Sequence, residues 1–458
     1  MYTFSNKLRN LAFAFMAIGL AGLVYGFLSA PKTVEEAKAM VATEHHGAGH
    51  GEEQSSDHAA PVHAETAHDT PQEEGHGESA HGEEHDASHD EHLFHQLQNK
   101  PWAALYVAAF FFFMIALGTL AFYAIQRAAQ AGWSPVLYRV MEGITAYLLP
   151  GGIIVIAILA MSGFHMNHLF IWMDPEVVAH DKLIAGKVAF LNVPFFLGRA
   201  VFFLAGWVLY RFISRKFSLA QDNASDNSNH VKNFRLSAGF LVFFIVTESI
   251  MSWDWVMSID PHWFSTLFGW YVFASMFVSG ITTIALITIY LKSKGYLEFV
   301  NDSHIHDLGK FMFGVSVFWT YLWFSQFMLI WYSNIPEEVT YFITRIEDYN
   351  ITFFGMIAMN FLFPLLILMN SDYKRTNYFI IMAGIVIILG HYLDVFNMIM
   401  PFCSRRSMVY RNSRSRRIFL LLRIIYLYSI YSIIESTAFS QRRSLYGRER
   451  AFSLLKYN

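Results

Sequence analysis

The chain has one cysteine, Cys403, in 458 residues. That excludes a disulfide framework, a cysteine-ligated zinc centre and an iron–sulfur cluster held within this chain. Charge is scarce too, at 15% Asp, Glu, Lys and Arg, against about 25% in soluble domains. Such a chain is not a water-soluble enzyme. Arginine is nearly missing from the first 402 residues, which hold 9 of the 20. What is abundant is apolar and aromatic: 54% hydrophobic residues, with 44 Phe, 23 Tyr and 11 Trp. The composition is that of an integral membrane protein.

Apolar runs of about 20 residues, the length a helix needs to cross ~30 Å of hydrocarbon, recur at 11–29, 102–126, 140–162, 189–210, 236–257, 264–291, 311–333, 349–370 and 378–399, with a weaker tenth at 418–434. They are continuous rather than alternating, which favours helices over a barrel. The expected fold is an all-α polytopic membrane protein of about ten transmembrane helices.

The net charge of −3 averages over three unlike segments. Residues 31–100 hold 16 of the 36 acids, 3 of the 33 Lys and Arg, and 12 of the 20 histidines. Residues 403–458 hold 12 basic residues and 2 acids, leaving 18 of each sign for the rest. The short loops give an orientation. With the N-terminus inside, Lys7/Arg9, Arg127/Arg139, Arg211/Arg215/Lys216/Lys232/Arg235, Lys292/Lys294/Lys310 and Lys374/Arg375 all fall on the cytoplasmic side, as the positive-inside rule requires. Lys182, Lys187, Arg345 and the acidic Glu337–Glu338 then lie outside.

Residues 1–30 read as an N-terminal anchor, with a cleaved signal peptide as the alternative. The external segment 31–100 is low-complexity and is expected to stay disordered. It reads as a solvated tether or, because clustered imidazoles and carboxylates bind zinc or copper, as a weak metal buffer. The tail 403–458 abruptly switches to Arg and Ser, and its basic run would sit on the wrong side. It reads as the product of a shifted reading frame replacing a genuine last helix, or as a basic membrane-surface tail.

Ionisable groups inside a membrane are costly, so each is a functional candidate. Arg199 lies about ten residues into its apolar run, ~15 Å deep at 1.5 Å per residue. Glu248, His391 and Asp394 occupy the outer half, and His391, Asp394 and Asn397 follow an i, i+3, i+6 pattern on one helix. These groups suggest an internal hydrogen-bonded line able to relay protons, or a static clamp of Arg199 with Glu248 or Asp394. His165 and His168, i, i+3 if the helix continues, are candidates to hydrogen-bond a quinone carbonyl or, as the lesser alternative, to bind a metal. No metal site is expected; a b-type haem needs paired ligands within the bundle, and only His391 is deep.

The most distinctive segment runs from Met251 to Gly269. Asp260–Pro261 reads there as an N-cap and first-turn pair opening the next helix, and Trp253, Trp255, Trp263 and Trp270 read as an interfacial belt. With its Trp253-Asp254-Trp255, Asp260-Pro261 and Trp263 pattern, this run resembles one of the two large membrane subunits of alternative complex III, a bacterial quinol:cytochrome c oxidoreductase. Those subunits belong to the NrfD/polysulfide-reductase-like family. The resemblance covers roughly 1–402.

It implies two four-helix bundles, 101–258 and 259–402, with the first and last helices peripheral, in a bacterial inner membrane with 31–100 periplasmic. It implies partners: a sister NrfD-like membrane subunit, an iron–sulfur subunit, multihaem and monohaem cytochrome c subunits, and a terminal oxidase, with lipid around them and no nucleic acid. The haems and iron–sulfur clusters would belong to those partners. This chain would carry no covalent cofactor and no catalytic residue of its own, with menaquinone as its one candidate ligand, the resemblance adding Asp254 to His165 and His168 at that quinone site. Its part would be a proton path through Glu248, Asp254, His391, Asp394 and Arg199. Two rivals are a purely structural assembly role and a zinc transporter suggested by the His-rich segment.

Overall fold

The computed structural model describes residues 80–403 and, before them, 24–37 and the single positions 10, 13, 14, 21 and 22. The tenth apolar run, the His-rich stretch 38–79 and the tail beyond Cys403 therefore lie outside the described residues, and the first run is described only at 13, 14, 21, 22 and 24–29. The described chain is helical, with no strand, and eight helices are long and apolar enough to cross a membrane. They are α1 (Ala80–Ala128), α2 (Pro135–Gly163), α3 (Val193–Asp222), α4 (Ser228–Trp255), α5 (Phe268–Ser293), α6 (Asp302–Ser333), α7 (Asn350–Leu368) and α8 (Asn377–Cys403). The protein is an all-α polytopic membrane protein.

Local sequence sets the boundaries. Asn192 caps α3, its Oδ1 accepting from the Phe195 N–H at 3.0 Å, with Pro194 in the first turn where a missing N–H costs nothing. Asn301 and His304 form a capping box at the start of α6. That helix stops at Asn334, which takes the left-handed conformation (φ 48°). In α7, Pro364 cannot donate to residue 360, and a π-helical turn, Ala358–Leu362, precedes it. One expectation is corrected at α1: its helix begins at Ala80, so residues 80–100 are helical rather than part of a disordered tether.

α1 packs on α2 and α4, and α3 closes the ring against both α2 and α4. α5 packs on α6 and α8, and α7 closes that second ring. The rings meet along α1 and α5, the most buried of the eight spans. Glycine permits this meeting. A Cβ on Gly118 would lie 2.1 Å from the Met276 carbonyl oxygen, and one on Gly280 would lie 2.7 Å from the Thr119 nitrogen. Small residues let two backbones touch where lipid gives no hydrophobic drive to do so. α3, α4 and α6 turn large apolar side chains such as Phe202, Val242 and Leu329 outward.

Candidate functional site

Two buried polar centres stand in the half of the bundle that holds the start of α3 and the ends of α4 and α8. The first joins α3 to α4. Arg199 donates from Nε to Asp254 Oδ2 at 2.7 Å and from Nη2 to Oδ1 at 3.0 Å, and its Nη1 donates to the Phe190 carbonyl at 3.1 Å. Its guanidinium lies 4.0 Å from the Phe190 ring centre and 4.2 Å from that of Phe195. Asp254 is fully buried. Both carboxylate oxygens and the planar cation are thus satisfied, in the bidentate geometry arginine favours.

This corrects the expected clamp with Glu248 or Asp394. Glu248 and Asp254 are six residues apart on α4, so they point to different faces, and it is Asp254 that meets α3. Arg199 is also shallower than the apolar run implied. Because α3 starts at Val193, it sits ~9 Å along the helix rather than ~15 Å.

The second centre lies among α5, α6 and α8. Asp394 Oδ2 accepts from Ser275 Oγ at 2.7 Å and from Trp319 Nε1 at 2.9 Å, and its Oδ1 accepts from the Tyr271 hydroxyl. His391 Nδ1 is 3.0 Å from Ser275 Oγ and 3.4 Å from Asp394 Oδ2. With the Ser275 proton committed to Asp394, the hydrogen-bond pattern assigns the imidazole proton to Nδ1. Nε2 is then a bare acceptor, buried and without a partner among the described residues. His391 and Asp394 are fully buried, and among the described residues His391 is the one basic group in ion-pair reach of Asp394. Asn397 does not join them; six residues from His391 it faces α7, donating to the Thr352 carbonyl at 3.0 Å. Nearby, the π-helical turn of α7 presents Asn360, fully buried with neither amide atom bonded, its Oδ1 2.1 Å from where a Cβ on Gly390 would stand.

Glu248 is buried on α4, its Oε1 accepting from Ser252 Oγ at 3.0 Å. Among the described residues no hydrogen bond joins Glu248, the Arg199–Asp254 pair and the Asp394 centre into one line. The histidine expectation changes as well. α2 ends at Gly163, and His165 takes a left-handed φ of 57° just beyond it, a conformation that terminates helices. His165 is exposed and His168 half-buried in a loop, where the His168 backbone N–H donates to Asn99 Oδ1 at 3.0 Å. His165 and His168 therefore share no helical face, and the Asp254 carboxylate is already bonded to Arg199.

The Met251–Gly269 segment fastens the rings together. The Trp255 carbonyl accepts from the Tyr106 hydroxyl at 2.8 Å, and Trp263 stacks on Tyr341 with ring centres 4.1 Å apart. Asp260 does not open a helix: α5 starts at Phe268, and Asp260 Oδ1 instead accepts from the His262 N–H at 3.1 Å in a tight turn. The turn is held from across the surface, His262 Nε2 lying 2.5 Å from Asp181 Oδ2 and Lys187 Nζ donating to the Pro261 carbonyl at 2.5 Å. The His262 contact holds the Asp181 carboxyl below its ordinary pKa, and burial lowers that of Lys187. The belt reading is corrected for Trp255 and Trp263, which are buried in protein, whereas Trp270 is about half exposed.

Sequence reasoning passed over two further clusters. Arg345, read as an outer-loop charge, is buried. It donates to the carbonyls of Asn397 at 2.8 Å and Tyr341 at 2.7 Å, so it fills the α8 carbonyl that Pro401, lacking an N–H, leaves without a helical donor. At the opposite end of the bundle, Glu142 Oε2 accepts from Arg139 at 2.6 Å and Oε1 from Ser218 at 2.5 Å and Tyr123 at 3.1 Å, with Asp222 also on Arg139. The Arg139–Glu142 spacing of i, i+3 was the available signal.

No three His, Cys, Asp or Glu side chains gather into a metal-binding group among the described residues. Compared with known proteins, the chain matches no protein-family model and no curated protein.

Proposed function

We propose that this chain is a membrane subunit of a respiratory menaquinol:cytochrome c oxidoreductase of the alternative complex III kind, in which the Asp394–His391 centre holds and passes protons. The observation that carries the reading is that centre itself. A carboxyl group with three neutral donors, and an imidazole whose second nitrogen is unbonded, sit inside helices apolar enough to cross a membrane. Intramembrane carboxyls and histidines are retained at such a cost chiefly where ions or protons move.

Oxidising a quinol to a quinone releases two electrons and two protons. In this reading the electrons leave through iron–sulfur clusters and haems on partner subunits, and the quinol is oxidised on the sister membrane subunit. No quinol step is derived through His165, His168 and Asp254, since His165 and His168 share no helical face and Asp254 is held by Arg199. Ser275 orients the pair: its hydroxyl donates to Asp394 and accepts from His391, fixing which imidazole nitrogen is free to take a proton. The membrane is the bacterial inner membrane, with the Asp394 end facing the periplasm and the Arg127 end the cytoplasm, as the distribution of basic loops supports.

A second reading, a structural assembly role, is favoured by the Arg199–Asp254 pair, whose acceptors are already filled. The two are separated in the purified complex. His391→Phe and Asp394→Asn are expected to slow quinol:cytochrome c turnover or abolish proton translocation in proteoliposomes. Full turnover with unchanged translocation in both would leave the structural role. A purified complex without haem or iron–sulfur absorbance would overturn the assignment to an oxidoreductase.

A further inference from the structure

We propose that Arg211 and Arg215, near the end of α3, form a binding site for the phosphate of an anionic phospholipid.

Four arginines gather at the Arg127 end of the first ring, and two buried carboxylates are there to meet them. Arg139 takes both, Glu142 at 2.6 Å and Asp222. Arg127 is settled as well, donating to Ser218 Oγ at 2.9 Å, lying 3.8 Å from Glu142 Oε1 and stacked 4.1 Å from the Tyr138 ring centre. Arg211 and Arg215 are left without an acid in ion-pair reach among the described residues. Arg211 keeps one hydrogen bond, from Nε to Thr145 Oγ1 at 3.3 Å. Arg215 makes no hydrogen bond or ion pair with the described residues, and its Nε is buried and unsatisfied.

The two are i, i+4 on α3, so one guanidinium stands above the other on the same face. Each presents a planar fork of N–H donors. Two adjacent like charges at the end of a spanning helix call for an anion that accepts several hydrogen bonds at once, and a phosphate does so. The surroundings decide between a free phosphate and a lipid. Thr145 places the pair at the seam of α2 and α3. The wall beside it is apolar and open, with Leu209, Phe212 and Ile153 all more than half exposed. Acyl chains would lie along that wall with the headgroup phosphate on the arginines, as basic pockets between spanning helices bind acidic lipids. The site is independent of the proton-path reading.

Native mass spectrometry on the full chain in its complex, purified in neutral detergent, tests it with phosphatidylglycerol, phosphatidylcholine and inorganic phosphate as probes. Phosphatidylglycerol is expected to be retained in preference to phosphatidylcholine, and to bind about tenfold more weakly or be lost in Arg211→Gln/Arg215→Gln. Lys232→Gln, on the exposed face of α4, is expected to retain it. If the double variant does not fold, Arg215→Gln alone serves, since that side chain has no hydrogen-bond or ion-pair partner among the described residues to lose. Equal retention of both lipids, or undiminished retention in the variant, would overturn the proposal. So would displacement of the lipid by millimolar inorganic phosphate, which would mark a free-anion site.

Discussion

Replacing Arg199 by Met leaves Asp254 as a fully buried carboxylate with neither oxygen bonded to a cation. Breaking a buried ion pair from one side costs about 3–5 kcal/mol, because the surviving charge has lost its compensation. The upper part of that range is expected here. Arg199 also lies over two rings, Phe190 and Phe195, and a desolvated cation–ring contact adds about 0.5–2 kcal/mol. Asp254→Leu strands the guanidinium and is expected to cost a similar amount. The double variant Arg199→Met/Asp254→Leu removes both charges and fills the space with apolar atoms, a change that is often neutral or stabilising. Its stability is expected within about 1 kcal/mol of the wild type, so the two changes are non-additive by about 5 kcal/mol or more. Unfolding by sodium dodecyl sulfate in mixed micelles, followed by tryptophan fluorescence, gives all four corners of the cycle. Additivity within about 0.5 kcal/mol would refute the reasoning, since groups that do not interact add to that tolerance.

Gly118→Val is expected to destabilise the contact of the two rings by about 1–3 kcal/mol or more, because its Cβ meets the Met276 carbonyl at 2.1 Å. Gly239→Ala, with nothing within 4 Å of the new atom, leaves the melting temperature in detergent nearly unchanged; equal effects would refute this account of the α1–α5 crossing. The Asp181–His262 contact carries its own pH dependence. A carboxyl whose pKa is lowered by folding contributes stability above its unfolded value, about 3.9, and loses it as pH falls through the lowered value. Amide exchange at Leu183 and Ile184, both bonded to Asp181, is therefore expected to stay slow above that value and quicken below it. Protection that persists in acid would contradict the assignment.

The spans were legible because ~20-residue apolar runs leave a helix few other places to go, and the helices follow them to within a few residues at most ends. Partner choice was not legible. Periodicity says that Glu248 and Asp254 face different ways, but which of the two meets Arg199 depends on how α3 is rotated against α4. Asp260–Pro261 looked like a helix start because the dipeptide suits that position, yet it equally suits the tight turn that Asp181 and Lys187 hold. Trp255 and Trp263 carry the composition of an interfacial belt, and only the packing of α1 and the Pro336–Glu347 helix over them shows that they are core. Ser275, Tyr271 and Trp319, which surround Asp394, are ordinary residues in apolar runs. Nothing local marks a hydroxyl as the partner of a carboxyl on a helix more than 100 residues away.

The proposed proton path requires that Asp394 exchange a proton during turnover. Infrared difference spectroscopy of the complex, taken between its quinol-reduced and oxidised forms, reads carboxyl protonation directly. A carboxyl band is expected that changes between the two forms, vanishes in Asp394→Asn and shifts in Ser275→Ala. A spectrum in which the carboxyl region does not change, or changes identically in Asp394→Asn, would contradict it.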